Sequence, residues 1–545
     1  MKFDKSVLWL VPAMLVAGAG ISASELSMDE YRAHVVKLAS DEFEGRKPAS
    51  RGEEKTVAYL TQQFKRLGLA PGNNGSFVQQ VPLVEITAAP DASLVFKTRG
   101  EKQATRYGED MVVWTKRVVP DIEVRDSPLV FVGHGVVAPE YGWNDYAGVD
   151  MRGKTALILI NDPGFADNDP NLFRGRAMTY YGRWTYKYEE AQRQGAAGAI
   201  IIHETAPAAY GWDTVQNSWS GPQLDQASAD GNMGRLAFEG WITLDRATGL
   251  LASVGQNFDA LKARAQRKGF KAVPLDATAS AKLRNGIRRS NSANVVATIP
   301  GASQPGEYVV FMGHWDHLGQ SLAGKGDTIF NGAVDNATGV SGLLTVASAM
   351  MRDAVKPART VVFLAVTAEE SGLLGSAYYA DNPIFPLAQT VAVLNMDAMY
   401  FGGPTKDVAV IGFGASELEK YLGVEAAKQD RVLKPEPTSE RGFFYRSDHF
   451  NFAKKGVPAL YFDLGLDDRE NGRDFAEKQR EDYIKARYHQ VGDEIAAGSD
   501  LRGGFQDLQL HYGVGRTLAM ERTFPEWNAG NEFKAIRDRS RAIMK

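Results

Sequence analysis

The sequence predicts an α/β protein with a mixed, largely parallel central sheet flanked by helices, and a β-rich region inserted into it. Two observations carry that expectation. From about residue 290 onward, short apolar runs (295–298, 308–312, 360–366, 391–394, 459–462) alternate with helical stretches such as 339–351. That is the order of buried strands joined by crossover helices. Between about 111 and 280 the apolar runs are strand-like and closely spaced (129–132, 155–160, 199–202), with a helix candidate over 188–194.

The elements follow in order. Lys2 and Lys5 precede an apolar run over 7–16, and small residues fill 17–24. This three-part pattern is that of a secretory signal peptide, cleaved near Ala23 or Ser24. The run is too short to span a bilayer comfortably. The expectation is therefore a secreted or periplasmic protein with no stable membrane insertion after cleavage. Residues 25–110 form the first part of the main domain. Within it Val57, Leu60, Phe64 and Leu67 share one helical face over 53–69, closed by Gly68 and Pro71. Residues 111–280 form the insertion and 281–545 the remainder of the main domain. The aromatics Tyr180, Tyr181, Trp184, Tyr186 and Tyr188 either pack locally or form a wall of a substrate cleft.

The 545 residues suffice for two to three folding units, and 44% hydrophobic with 23% charged residues is the balance of an ordinary globular protein. A net charge of -4 leaves no basic excess for nucleic acid. No cysteine occurs, so disulfides, thiolate ligands and a cysteine nucleophile are excluded. Any metal must be held by Asp, Glu and the eight histidines.

Those residue types gather at the ends of buried strands. The run 308–312 leads into Gly313-His314-Trp315-Asp316-His317. The run 360–366 leads into Thr367-Ala368-Glu369-Glu370-Ser371, and 391–394 leads into Asn395-Met396-Asp397. In open α/β sheets, ligands bind outside the carboxyl ends of the strands. Asp335, in a Gly-rich turn before a helix, and His489, between Tyr488 and Gln490, complete the set.

Taken together, these segments resemble the co-catalytic zinc exopeptidase family of bacterial secreted aminopeptidases and glutamate carboxypeptidase. The family's order is His-x-Asp, a bridging Asp, Glu-Glu, Asp and His, and the resemblance covers about 290–545. Leu38 to Arg46 looks like the family's lead-in, and 111–280 looks like a protease-associated domain. The resemblance implies two Zn(2+) ions bridged by Asp335, with His314 and Asp397 completing one site and Glu370 and His489 the other. His and carboxylate are suitable zinc ligands. Metal binding lowers the pKa of water from ~15.7 to ~7, so a hydroxide held between the metals would be the nucleophile.

Under the same resemblance Glu369 is the general base and Tyr488 the first candidate to steady the oxyanion, with Tyr445 second. Asp316 would bond the second ring nitrogen of His314, and Asp493 that of His489. Asp448, His449 and His317 are read as structural or rim residues, and the Asp335–Asn336 peptide as cis. Trp315, Met399, Tyr400 and Phe443 are candidate pocket residues. The expected activity is removal of N-terminal residues from peptide substrates. A metallocarboxypeptidase or dipeptidase using Arg441, Arg446 or Arg487 is the alternative, and a catalytically dead receptor-like protein a further one.

Overall fold

The computed structural model describes residues 25–542 apart from 167 and 322–325, so the expected signal peptide over 1–24 lies outside the described residues. Among the described residues no helix is long and apolar enough to cross a membrane.

The main sheet is mixed. Its centre is parallel, in the order Arg359–Val366, Gln304–His314, Thr390–Asn395 and Ala459–Leu464. Every residue of Arg359–Val366 and Thr390–Asn395 is buried. Burial on both faces explains why these strands read as unbroken apolar runs rather than alternations. Antiparallel strands flank the centre: Val273–Ile299 and Val78–Ala88 on one side, Asp407–Val410 on the other. One face carries the helices Met28–Leu38, Arg51–Leu67, Thr338–Arg352 and Arg502–Met520. Thr338–Arg352 is buried along almost its whole length. Its Gly, Ser and Ala residues let it lie close to the sheet, and a Cβ at Gly339 would meet the Met396 carbonyl oxygen at 2.3 Å. The predicted helix over 53–69 forms as Arg51–Leu67, capped by Ser50 and ended by Gly68 at φ 82°.

A second sheet occupies the middle of the chain. It contains Ser93–Thr98, Asp121–Phe131, Thr155–Leu159, Gly198–His203, Phe238–Thr243 and Met111–Trp114, and has a core on each face. It takes in residues ahead of 111, since Ser93–Thr98 and Glu101–Ala104 pair within it. The two sheets share a spine. Val273–Ile299 is one continuous strand of 27 residues. Its first part pairs with Asp121–Phe131 and Ser93–Thr98, and its second with Val78–Ala88 and Arg359–Val366. In return, Pro222–Gln226 from the middle of the chain pairs with Val78–Ala88 of the main sheet.

Candidate metal centre and cleft

Three parallel strands deliver the site to one edge. His314 is the last residue of Gln304–His314, Glu369 and Glu370 follow Arg359–Val366, and Asp397 follows Thr390–Asn395. Asp335 arrives on the turn before Thr338–Arg352, through a cis peptide to Asn336. Asn336 fastens this turn to two neighbouring strand ends. Its Nδ2 donates to the His314 and Met396 carbonyls, and its Oδ1 accepts from Gly339 and Ala398 N–H.

The two oxygens of Asp335 face different partners. Oδ1 lies 3.2 Å from His314 Nε2, which is also 3.2 Å from Asp397 Oδ1. Oδ2 lies 3.2 Å from His489 Nε2, which is 3.0 Å from Glu370 Oε2. One carboxylate thus joins two His–carboxylate trios. His314, Asp335 and Asp397 form one group able to hold a metal ion, and His317, Asp335 and Glu370 another. His317, read as a structural or rim residue, stands beside the second trio. It is buried, and its Nδ1 is 2.6 Å from Glu370 Oε1. Glu369 stands over the first trio, with Oε2 4.0 Å from His314 Nε2.

The electrostatics of the cluster suit a cation. Burial opposes charge on Asp335, yet contacts with His314 and His489 hold it well below the usual carboxylate range. Burial and the charge of Asp335 would raise Glu370, but His489 and His317 bring it to about 2. Burial, followed by the charges of Glu370, Asp397 and Asp448, pushes Glu369 well above that range against an opposing pull from His314. Burial would depress His489, but Glu370 and Asp335 drive it up to about 11. The carboxylates thus draw positive charge to themselves, in the direction that favours protonated imidazole or a bound cation.

A raised folded-state value for His489 stabilises fully below its unfolded value of 6.5, and the benefit is lost as pH rises through about 11. Chelated protein is expected to lose thermal stability between about pH 7 and pH 11 more steeply than metal-loaded protein. Melting scans across that window, with and without chelator, check this; parallel curves would contradict it.

Two supporting carboxylates act differently from the expectation. Asp316 meets His314 Nδ1 through its backbone carbonyl at 3.1 Å, while its carboxylate stands 3.8 Å off. That carboxylate instead accepts from the N–H groups of Glu369 and Glu370 at 3.1 and 3.4 Å. The reason is position: the Glu-Glu turn otherwise ends a buried strand with two unpaired donors. Asp493 likewise does not reach a nitrogen of His489. Its carboxylate accepts from Val334 and Asp335 N–H at 3.0–3.2 Å and fixes the bridging turn. Asp316→Asn would place an amide donor against one N–H. It is expected to weaken metal binding about 10–100-fold, checked by metal titration.

Arg46 is a residue that the lead-in motif alone could not assign. It is fully buried under the site, and its guanidinium donates to the carbonyls of Leu38, Trp315, Asn331 and Gly332. It thereby clamps the His314 and Asp335 loops from below, and its charge faces Asp493, Asp335, Asp316 and Glu370. Ser447 supports Asp397, with Oγ donating to Oδ2 at 2.5 Å. Asp448 and His449 are buried beyond the site, His449 between Phe444 and Tyr461.

The centre opens into a cleft of about 1140 Å³ between the two sheets. Glu369, Glu370, Tyr488 and His489 line one side, and Trp114, Tyr180, Trp184, Tyr186 and Trp219 the other. Most of the predicted aromatic cluster therefore walls the cleft, whereas Tyr188 is buried in the core of the second sheet. Tyr488 is 43% exposed and stacks on His489 at 4.0 Å. Tyr445 also lines the cleft, but its hydroxyl is committed to Glu532. Trp315 does not reach the cleft. It is core, with Nε1 bonded to the Ala293 carbonyl, and Met399 is core as well. Tyr400 lines a smaller pocket of about 490 Å³ with Arg480 and Arg487.

Residues 294–504 match the model of Peptidase family M28. The chain is 24% identical over 405 residues to a "Glutamate carboxypeptidase 2 homolog" of Caenorhabditis elegans, covering 64% of this chain and 47% of the relative. It is 28% identical over 137 residues to "Aminopeptidase NAALADL1" of Rattus norvegicus, covering 24% of this chain and 17% of the relative. The chain thus spans about half the length of the first relative and under a fifth of the second. Among solved structures, an aminopeptidase from Aneurinibacillus sp. strain AM-1 aligns with a TM-score of 0.49 at 20% identity, over 92% of this chain and 95% of that one.

Proposed function

We propose that this chain is a secreted metal-dependent exopeptidase holding two zinc ions, and that it removes N-terminal residues from peptides. The observation that supports it most directly is the pair of His–carboxylate trios sharing Asp335 at the floor of an open cleft. Clustered buried carboxylates with so few compensating charges suit divalent cations, and the His and carboxylate set suits zinc. His314 and Asp397 would hold one ion, His489 and Glu370 the other, with Asp335 between them. Bound there, the metals supply Lewis acidity toward the scissile carbonyl and a lowered pKa for water.

The protein's own groups do the rest. Glu369, whose proton affinity is raised by burial, takes the proton of the attacking water and returns it to the leaving amine. Tyr488, beside His489 and open to the cleft, donates to the developing oxyanion. The aromatic wall of the second sheet bears on the substrate from the opposite side. The complete set of ligand side chains argues against a dead receptor-like scaffold.

The test is mass spectrometry of a peptide library with free, N-acetylated and C-amidated members, run with zinc-loaded and chelated protein. Stepwise loss of N-terminal residues from free but not acetylated members is expected. Trimming from the other end, blocked by amidation, would replace this reading with a carboxypeptidase. No metal-dependent cleavage would end it.

A further inference from the structure

The two His–carboxylate trios are not held with equal firmness. The His314 side chain is 1% exposed, that of His489 37%. His489 lies just past helix Arg473–Ala486, of which only Tyr483 is buried. Asp335 is shared between the trios. Glu370 is therefore the one buried ligand that the second position has to itself.

Two neighbours fix Glu370. Its N–H donates to the Asp316 carboxylate, which anchors the backbone. Its side chain is held by His317. Nδ1 of His317 stands 2.6 Å from Glu370 Oε1, while Oε2 lies 3.0 Å from His489 Nε2. A metal-binding carboxylate is ionised and only accepts, so Nδ1 carries a proton and donates it. The two oxygens of Glu370 are thus divided, one for His317 and one for the trio.

The fold builds a slot for this imidazole. The His317 N–H donates to the Arg46 carbonyl at 3.3 Å, and the Arg46 guanidinium holds the carbonyl of Gly332. The ring lies against Gly332, where a Cβ would come within 2.6 Å of its Cγ and Cδ2. The His489 ring packs at 74° to it, with centroids 5.8 Å apart. The side chain is fully buried, and its Nε2 has no hydrogen-bond partner. The only polar contact made by the ring is therefore the one to Glu370.

The geometry assigns His317 as a positioning residue that, by holding Oε1 of Glu370, turns Oε2 to the second ion and sets the affinity of that position without being a ligand. The assignment rests on the two-ion reading given above. Outer hydrogen-bond partners of metal ligands contribute about 10–100-fold in affinity. Here that contribution falls on one of the two equivalents.

Calorimetric zinc titration of the chelator-stripped protein tests this, with metal content after dialysis as a second readout. Wild type is expected to bind two equivalents. In His317→Leu the weaker equivalent should lose about 10–100-fold in affinity and the tighter one should stay unchanged. The place of the donor separates positioning from bulk. Asn carries an amide nitrogen on Cγ, where His carries Nδ1, so His317→Asn should recover most of the loss. Gln carries its amide one bond further out, so His317→Gln should not.

Three results would overturn the assignment. One is a second equivalent bound by His317→Leu as tightly as by wild type. Another is equal weakening of both equivalents, the mark of a general disturbance. The third is loss of the second equivalent in Leu, Asn and Gln variants alike, which would make His317 a ligand. Should His317→Leu fail to fold, Asn and Gln decide alone, and equal affinities in the two would overturn it. Fewer than two equivalents in wild type would instead fail the two-ion reading, and the assignment would fall with it.

Discussion

Glu369→Gln protein is expected to bind its metals as wild type does and to turn over about 10³-fold more slowly, the scale of a lost general base. The substitution keeps the shape of the side chain and leaves the backbone N–H bond from Glu369 to Asp316 intact. It removes only the ability to take and return a proton. Glu369 is the carboxylate best prepared for that task. It is largely buried, its basicity is raised by its surroundings, and it stands 4.0 Å from His314 without joining either trio. Metal content by mass spectrometry and initial rates on a free-N-terminus peptide decide the matter together. Near-normal turnover would remove Glu369 from the mechanism. Lost metal would make it a ligand instead.

Asp335→Ala is expected to have the larger effect on the metals. Its two oxygens join the two trios. Without them, His314 retains Asp397 on one side, and Glu370 retains His489 and His317 on the other. Loss of an outer supporting partner costs roughly 10–100-fold in metal affinity, and loss of the shared ligand must cost more. Activity should fall to background, and metal analysis after dialysis should show depletion of both ions. Asp335→Asn is the companion variant, because it keeps the volume but cannot serve two cations as a carboxylate. Two full equivalents of metal retained by both variants would refute the bridging role.

Local pattern carried much of the architecture. Strands buried on both faces announced themselves as unbroken apolar runs, and helix Arg51–Leu67 showed its stripe and its Gly68 stop. His314, Glu369, Glu370 and Asp397 were visible because they end or closely follow such strands, whereas Asp335 and His489 lie on turns and stood out only through the resemblance. Other contacts needed the third dimension. The carboxylates of Asp316 and Asp493 bond backbone N–H groups brought in from distant segments, and no side-chain pattern records where a backbone amide points. Arg46 and His317 lie within motifs, yet their burial depends on loops 270 or more residues away and on Glu370, respectively. The strand Val273–Ile299 was seen only in its last apolar stretch. Its first part alternates small and charged residues and pairs with strands on both flanks.

That shared strand bears on how the molecule could have been assembled and how it can be cut. A module joined by two flexible tethers can be exchanged between scaffolds, because its removal leaves the host's hydrogen bonds intact. Here, excising 111–280 would take away Pro222–Gln226, which covers the edge of Val78–Ala88, and would sever the first part of the spine. The host would be left with a bare β-edge, a surface prone to pairing with other chains. The two lobes therefore have to be inherited, engineered and unfolded as one cooperative body rather than as host and passenger.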